Sequence, residues 1–283
     1  KPFFIFFDFE TRQDEEMGTN AYGNIYRHIP TCVIAHKVCK ECITDLDANN
    51  DCSKCGIRRF VFIGDESLDK FCHWLFSEEH YGATALAHNA RGYDAQFLMQ
   101  YLLEHGTKLP SVVTKGLEII SLEAGGVKVV DTLNFLPMPL SAMPKAFGIA
   151  ELKKGHFPHF FNTLANRGYI GPLPAAEFYN PDTMKPEARE EFMKWYNTGN
   201  AKNQDFDMDK ELLEYCDSDV DILKKCALKF RDIFIAETDV DPFLVSLTIA
   251  SACNYVFRRN FLEPNVIGIV PHGGYRKNDK QSV

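Results

Sequence analysis

The sequence predicts an α/β sandwich, a central sheet covered by helices. Two patterns carry the prediction. Strand-like apolar runs alternate with helical patterns along most of the chain, the order that builds layered α/β domains. The opening run, KPFFIFFDFE, is apolar without interruption from Phe3 to Phe7, as a strand buried on both faces must be.

Taken in order, residues Arg12 to Pro30 are polar and read as a loop, and a cysteine cluster follows from Cys32 to Cys55. RRFVFIG predicts a strand. ESLDKFCHWLFSEEH predicts an amphipathic helix with Leu68, Phe71, Cys72 and Leu75 on one face. ATALAHN predicts another strand, and GYDAQFLMQYLLEHG a helix stopped at Gly106. SVVTKGLEIISLEAGGVKVVDTLNFL alternates β-branched and polar residues about a Gly125-Gly126 turn, a hairpin signal. SAMPKAFG predicts a short helix. From Lys153 to about Asp205 the chain is rich in Pro, Asn, Gly and aromatics, an insertion with one helix near Pro186 to Tyr196. HFPHFF within it reads as a partner surface or as buried insertion core, the latter being the commoner outcome for such residues. A long helix covers DMDKELLEYCDSDVDILKKCALKFRDIFIAET, another covers DPFLVSLTIASACNYVFRRNFL, and the tail turns at HGG.

With 283 residues, 45% of them hydrophobic, the chain can bury one sizeable core. The net charge of −8 advertises no basic face for nucleic acid, although metal ions can bridge carboxylates to phosphate. No run of 18 apolar residues occurs, so no membrane span or membrane partner is expected. No signal peptide is visible, which points to an intracellular setting of unspecified compartment. Both ends, Lys1 and the polar RKNDKQSV, look cut from something longer.

Three stretches carry candidate chemistry. Asp8 and Glu10 close the first strand. Side chains of a strand alternate faces, so both acids project from one side and Phe7 and Phe9 from the other. Two adjacent acids repel unless a cation sits between them, and hard oxygen ligands on a rigid element suit a divalent ion. A strand simply reaching solvent would also end in this way. In LAHNARGYDAQFL an apolar strand ends at His88-Asn89, and Tyr93-Asp94 opens a helix, where an acid is also favoured by the dipole. In LLEYCDSDVDIL, Tyr215 and Asp219 are four apart and share a helix face, whereas Asp217 and Asp221 are expected to be solvated.

Together these stretches resemble the three exonuclease motifs of family B DNA polymerases, within the DEDD superfamily of 3′–5′ exonucleases. They are D-x-E at Asp8-Phe9-Glu10-Thr11, N-x(2–3)-[FY]-D from Asn89 to Asp94, and Y-x(3)-D from Tyr215 to Asp219, the tyrosine subclass. FGIAELKKGHFP is similar to the segment of protein-primed polymerases that supplies an active-site lysine, here Lys154 or Lys153. FPHFFNTLANRGYIGPLP and PHGGYRKNDKQS look most like polymerases of Maverick/Polinton elements and linear plasmids. The polymerase motifs D-x-x-S-L-Y-P and Y-x-D-T-D are absent from these residues.

The resemblance implies a ribonuclease H-like exonuclease fold, a mixed sheet flanked by helices, over residues 1–262, with a tail at 263–283. It implies that Asp8, Glu10, Asp94 and Asp219 hold two divalent ions, magnesium or manganese, around a scissile phosphate. Tyr215 would orient water, Lys154 would stabilise charge, and Thr11, Asn89 and Tyr93 would bind single-stranded DNA or RNA 3′ ends. Three readings stay open: an autonomous exonuclease, a non-catalytic binding or partner platform, and a proofreading fragment that needs a polymerase domain.

Cys39, Cys42, Cys52 and Cys55 form C-x2-C, nine residues, C-x2-C. Paired turns of this kind present four thiolates to a structural zinc, within an insert placed at 31–60. Two disulfides are the alternative, without a secretory signal to support them. Cys32 and His36 are close enough in sequence to replace one ligand. Lys37, Lys40, Lys54, Arg58 and Arg59 give the cluster a basic surround, either a nucleic-acid contact or a solvated face. Cys72, Cys216, Cys226 and Cys253 are expected to be core thiols.

Overall fold

A computed structural model of the chain describes residues 3–21, 23–106, 109–149, 152, 154–198, 205–266 and 268. β1 (Phe3–Asn20) and β2 (Gly23–Cys39) form a long antiparallel ribbon, and β3 (Arg59–Ile63) pairs with β2. α1 (Ser67–Leu75) leads to β4 (Thr84–Ala87), which lies parallel to β1. α2 (Asp94–His105) precedes a meander of β5 (Ser111–Lys115), β6 (Glu118–Ala124) and β7 (Val127–Asp131), and β7 runs parallel to β4. The result is a seven-stranded mixed sheet of order β3-β2-β1-β4-β7-β6-β5.

The second half adds α3 (Met143–Ala146), β8 (Ile170–Gly171), α4 (Pro186–Asn197), β9 (Phe206–Asp207), α5 (Met208–Thr238), α6 (Pro242–Val245) and α7 (Ile249–Asn260). β8 and β9 make a small separate ladder. Asp207 caps α5 by accepting the Lys210 amide at 3.1 Å. No helix among the described residues is long and apolar enough to cross a membrane.

The alternation of β1 divides the core in two. Ile5, Phe7 and Phe9 pack with Phe71 and Leu75 of α1 and Leu98 and Leu102 of α2. Phe4 and Phe6 pack on the opposite face with Cys216, Val220 and Leu223 of α5. Fully burying a phenylalanine stabilises by roughly 1.5–3 kcal/mol, so Phe6 and Phe7, both fully buried, pin the register of β1. Asp8 and Glu10 continue the Phe4-Phe6 series and therefore emerge toward α5. The meander depends on its glycine turn: Gly125 and Gly126 have φ of 57° and 76°, and a Cβ on Gly126 would stand 2.3 Å from the Tyr81 ring.

Several expectations change. Residues 12–30 are not a loop; they extend β1 and β2 as a ribbon beyond the sheet. Register shifts at Glu10/Thr11, Arg12/Glu15 and Glu16/Gly18 bend it, and most of its side chains are solvated. A ribbon with no core side has no apolar alternation to betray it. The helix expected over DPFLVSLTIASACNYVFRRNFL breaks in two, because Ser246 and Thr248 are extended and Thr248 forms a capping box with Ser251. Cys253 is exposed on α7, whereas Cys72, Cys216 and Cys226 are buried. The excursion bearing the four cysteines leaves the sheet after Cys39 and rejoins it at Arg59, narrower than 31–60. In the insertion Phe157 and Phe161 are buried but Phe160 is half exposed. The HGG turn lies outside the described residues.

Candidate active site

β1, α2 and α5 bring the acids together. Single carboxylate oxygens of Asp8, Glu10 and Asp219 lie within 4.8 Å of one another. Asp94, at the first position of α2, is buried beside them and acts on the charge of both Asp8 and Glu10. Burial, reinforced by Asp94, Glu10 and Asp219, raises the Asp8 carboxyl well above its usual range. Burial raises Glu10 to about 8, against the pull of Lys154 and with a push from Asp219 and Asp94. Asp94 is raised to about 7, chiefly by burial, and Asp219 is raised for the same reason despite Lys154. Four packed acids beside a single ammonium carry more negative charge than Lys154 offsets.

The donor set fits divalent ions. Oδ1 of Asp94 and Oδ1 of Asp219 are buried with no hydrogen-bond partner among the described residues, which fits oxygens able to ligate a cation. All-carboxylate ligation suits magnesium or manganese. Asp8 and Asp219 open on a groove of about 520 Å³ also lined by His88, Asn89, Met138 and Lys154, with Glu10 and Asp94 behind its lining.

Lys154 donates to Asp219 Oδ2, and its ammonium sits 4.9 Å from the centre of the Tyr215 ring. Burial pulls its pKa down, but Tyr215 and Asp219 more than reverse this, so Lys154 stays charged. Lys153 lies outside the described residues. Burial raises the Tyr215 phenol, partly offset by Lys154, so it keeps its proton at neutral pH. Tyr215 is stacked on Phe157 at 5.2 Å and edged by His159 at 5.4 Å.

The three expected strand ligands sit around this centre. Thr11 Oγ1 is 2.5 Å from the Tyr93 hydroxyl. Tyr93 is half-buried against Phe97, with ring centres 5.1 Å apart. Asn89 adopts a left-handed conformation, φ 65°, at the groove. A non-glycine residue there is held by its surroundings.

Four contributors escaped the sequence reading. Asp131, at the end of β7 and fully buried, accepts the amides of Asn89 (2.9 Å), Arg91 (3.1 Å) and Leu133 (2.8 Å) and the Arg91 Nε (2.9 Å). It thereby shapes the 89–93 turn. VVD closes an apolar strand much as FFDFE does, and that pattern was a usable signal. His28 on the ribbon reaches the Tyr93 hydroxyl at 3.2 Å. His159 lies 3.6 Å from Glu10 and is lowered to about 4 by burial and Lys154, so the contact is with a neutral ring. Asn162 Nδ2 donates to the Thr11 carbonyl at 2.9 Å. The last three contacts span many residues and leave no local trace.

Asp217 and Asp221 are not simply solvated. Asp217 accepts from Arg59 Nε at 3.1 Å and contacts His36 Nε2 at 2.8 Å, and Asp221 pairs with Lys224 and Lys225. His36 and Cys32, buried in β2, stand outside the thiol cluster. That cluster unites Cys39, Cys42, Cys52 and Cys55, whose sulfurs lie 3.7 Å apart for three neighbouring pairs. A tetrahedron with zinc–sulfur bonds of about 2.3 Å has edges of about 3.8 Å, so the four sulfurs fit zinc. Amides of Cys55 and Lys54 lower the Cys52 thiol to about 6, whereas burial raises Cys42 and Cys55, as expected of neighbouring thiols without a cation between them. Of the basic surround, Arg58 is buried among loop carbonyls, Arg59 pairs with Asp217 and Lys37 lies 5.2 Å from the centre of the Phe60 ring, whereas Lys40 and Lys54 are exposed.

A family model for type B DNA polymerases, organellar and viral, matches residues 78–282, well over half of the chain. The chain belongs to this family. The matched span includes Asp94, Lys154, Tyr215 and Asp219 and excludes Asp8 and Glu10, which the fold brings to them. A probable DNA polymerase of Ascobolus immersus is 29% identical over 230 residues, 75% of this chain and 18% of that protein. A probable DNA polymerase of Neurospora intermedia is 27% identical over 145 residues, 49% of this chain and 14% of that protein. The chain thus spans less than a fifth of either curated relative. A crystal structure of phi29 DNA polymerase superposes with a TM-score of 0.50 over 92% of this chain and 34% of that one, at 14% identity. That likeness is one of fold.

Proposed function

We propose that this type B polymerase chain is a 3′–5′ exonuclease that hydrolyses terminal phosphodiester bonds of single-stranded nucleic acid. The observation that carries the reading is the buried cluster of Asp8, Glu10 and Asp219 beside Asp94, acids whose pKa values burial raises, with one oxygen each of Asp94 and Asp219 without a hydrogen-bond partner among the described residues. Asp8, Glu10, Asp94 and Asp219 would hold magnesium or manganese, which when bound supplies Lewis-acid activation of water and of the leaving 3′ oxygen.

The remaining roles belong to side chains. Tyr215, which keeps its proton, orients the attacking water through its hydroxyl. Lys154 stays charged and places positive charge beside the phosphate. Thr11 and Asn89 hold the strand, and Tyr93 offers a ring for the terminal base. Cys39, Cys42, Cys52 and Cys55 bind one structural zinc. On this reading residues 1–262 are the exonuclease domain, with the cysteine insert and the 153–205 insertion inside it, and 263–283 are a tail.

The test is a ladder assay on 5′-labelled single-stranded DNA and RNA with magnesium, manganese or neither. Metal-dependent shortening from the 3′ end, absent in Asp8→Ala/Glu10→Ala, is expected. A folded parent chain that binds the strand but never cleaves it would overturn the catalytic reading.

A further inference from the structure

The loop between β2 and β3 is folded around a buried cation. Arg58, with a fully buried side chain, donates to Asp45 Oδ2 (2.9 Å) and to the carbonyls of Asp45, Asp47 (3.0 Å) and Asn50 (3.4 Å). A second buried cation ties this loop to α5. Lys224 Nζ donates to the Leu46 carbonyl (2.7 Å) and Asp221 Oδ1 (2.9 Å) and lies 3.2 Å from His36 Nδ1. The other ring nitrogen of His36 meets Asp217. The four-thiol loop is therefore bonded to the helix that carries Tyr215 and Asp219.

The placement matters because of helix geometry. Asp217, Asp221 and Lys224 follow a spacing of four and three and form one stripe of α5. Tyr215 and Asp219 form another. Each residue advances about 100° around the axis, so the two stripes turn together. A rotation that released the first from His36, Arg59 and Leu46 would swing Asp219 away from Asp8 and Glu10. A buried ammonium strongly resists losing an acceptor, so the position of the Leu46 carbonyl constrains α5.

We infer that Lys224 is a positioning residue that couples the zinc-closed loop to α5 and so holds Asp219 and Tyr215 toward the acids of β1. The inference rests on the zinc and carboxylate readings above. It assigns the cysteine loop a task beyond its own stability.

Amide hydrogen exchange of the full chain tests it without a need for turnover. Removing zinc from the parent with a zinc-specific chelator is expected to speed exchange at 212–223 about tenfold, besides opening 39–58. Lys224→Met keeps the aliphatic stem, and Lys225 still pairs with Asp221 at 2.6 Å. This variant is expected to retain one zinc per chain, to show the faster α5 exchange already with zinc present, and to gain little more on chelation. Its manganese affinity, read by electron paramagnetic resonance, is expected to fall about tenfold, as for other residues that orient ligands without touching metal. Acceleration confined to 39–58 after chelation, or parent-like α5 exchange and manganese affinity in Lys224→Met, would overturn the coupling. A parent that carries no zinc would instead sink the zinc reading, and the Lys224→Met comparison would then judge the brace alone. Should Lys224→Met fail to fold, the chelation of the parent decides.

Discussion

Glu10→Gln should make the metal-free protein more stable above neutral pH while removing a ligand of the proposed metal site. The residue is 6% exposed, and its carboxyl rises from the ordinary 4.5 to about 8. The folded chain thus holds a proton that the unfolded chain releases near pH 4.5. Wherever the folded state binds the extra proton, stability falls as pH rises, so the penalty starts near 4.5 and is complete only above about 8. At roughly 1.4 kcal/mol per tenfold change in proton affinity, it grows by ~3 kcal/mol between pH 5.5 and 8. Glutamine matches the shape and never ionises. In zinc-replete buffer without magnesium or manganese, the melting advantage of Glu10→Gln over the parent should be about 6–12 °C larger at pH 8 than at pH 5.5. Adding manganese should stabilise the parent and leave the variant unmoved. A variant that is less stable at pH 8, or whose gain is equal at both pH values, would refute the idea that unneutralised charge strains this site.

Four other outcomes follow from the same geometry. Since Glu10 and Asp94 hold protons near pH 7, manganese binding should release protons, and its affinity should rise with pH until about 8; calorimetry in buffers of different ionisation enthalpy measures this. Asp131→Ala strips four donors of a buried acceptor and should cost about 3–5 kcal/mol in urea unfolding, because the Arg91 charge loses its partner. Lys154→Met should lower kcat on single-stranded ends by about 100-fold with little change in KM, as expected when a charge acts on the transition state. Cys39→Ser/Cys42→Ser should abolish zinc retention by elemental analysis and lower the melting temperature, and parent-level zinc in that variant would sink the four-thiolate site.

Much of this molecule was legible in its sequence because local rules sufficed. Phe3 to Phe7 could only be a doubly covered strand, so the faces of Asp8 and Glu10 followed from a period of two. Tyr215 and Asp219 fell together from helical spacing, and the long helix ran from Met208 to Thr238 as its pattern required. The paired C-x2-C turns marked four sulfurs that the fold does assemble. The rest depended on contacts between distant residues. The polar ribbon at 12–30 carried no alternation, because neither side is buried. Asp217 looked solvated until His36 and Arg59 arrived from two strands to bind it. Arg58 looked like a surface charge until loop carbonyls closed around it. Asp131 and His28 act on the 89–93 turn across a sheet and a ribbon. Residue type and spacing fixed which groups could do chemistry. Only the packing of α5 against β1 and β2 decided which acids are buried together, and that separates the acids proposed to hold metal from the acids that hold the fold.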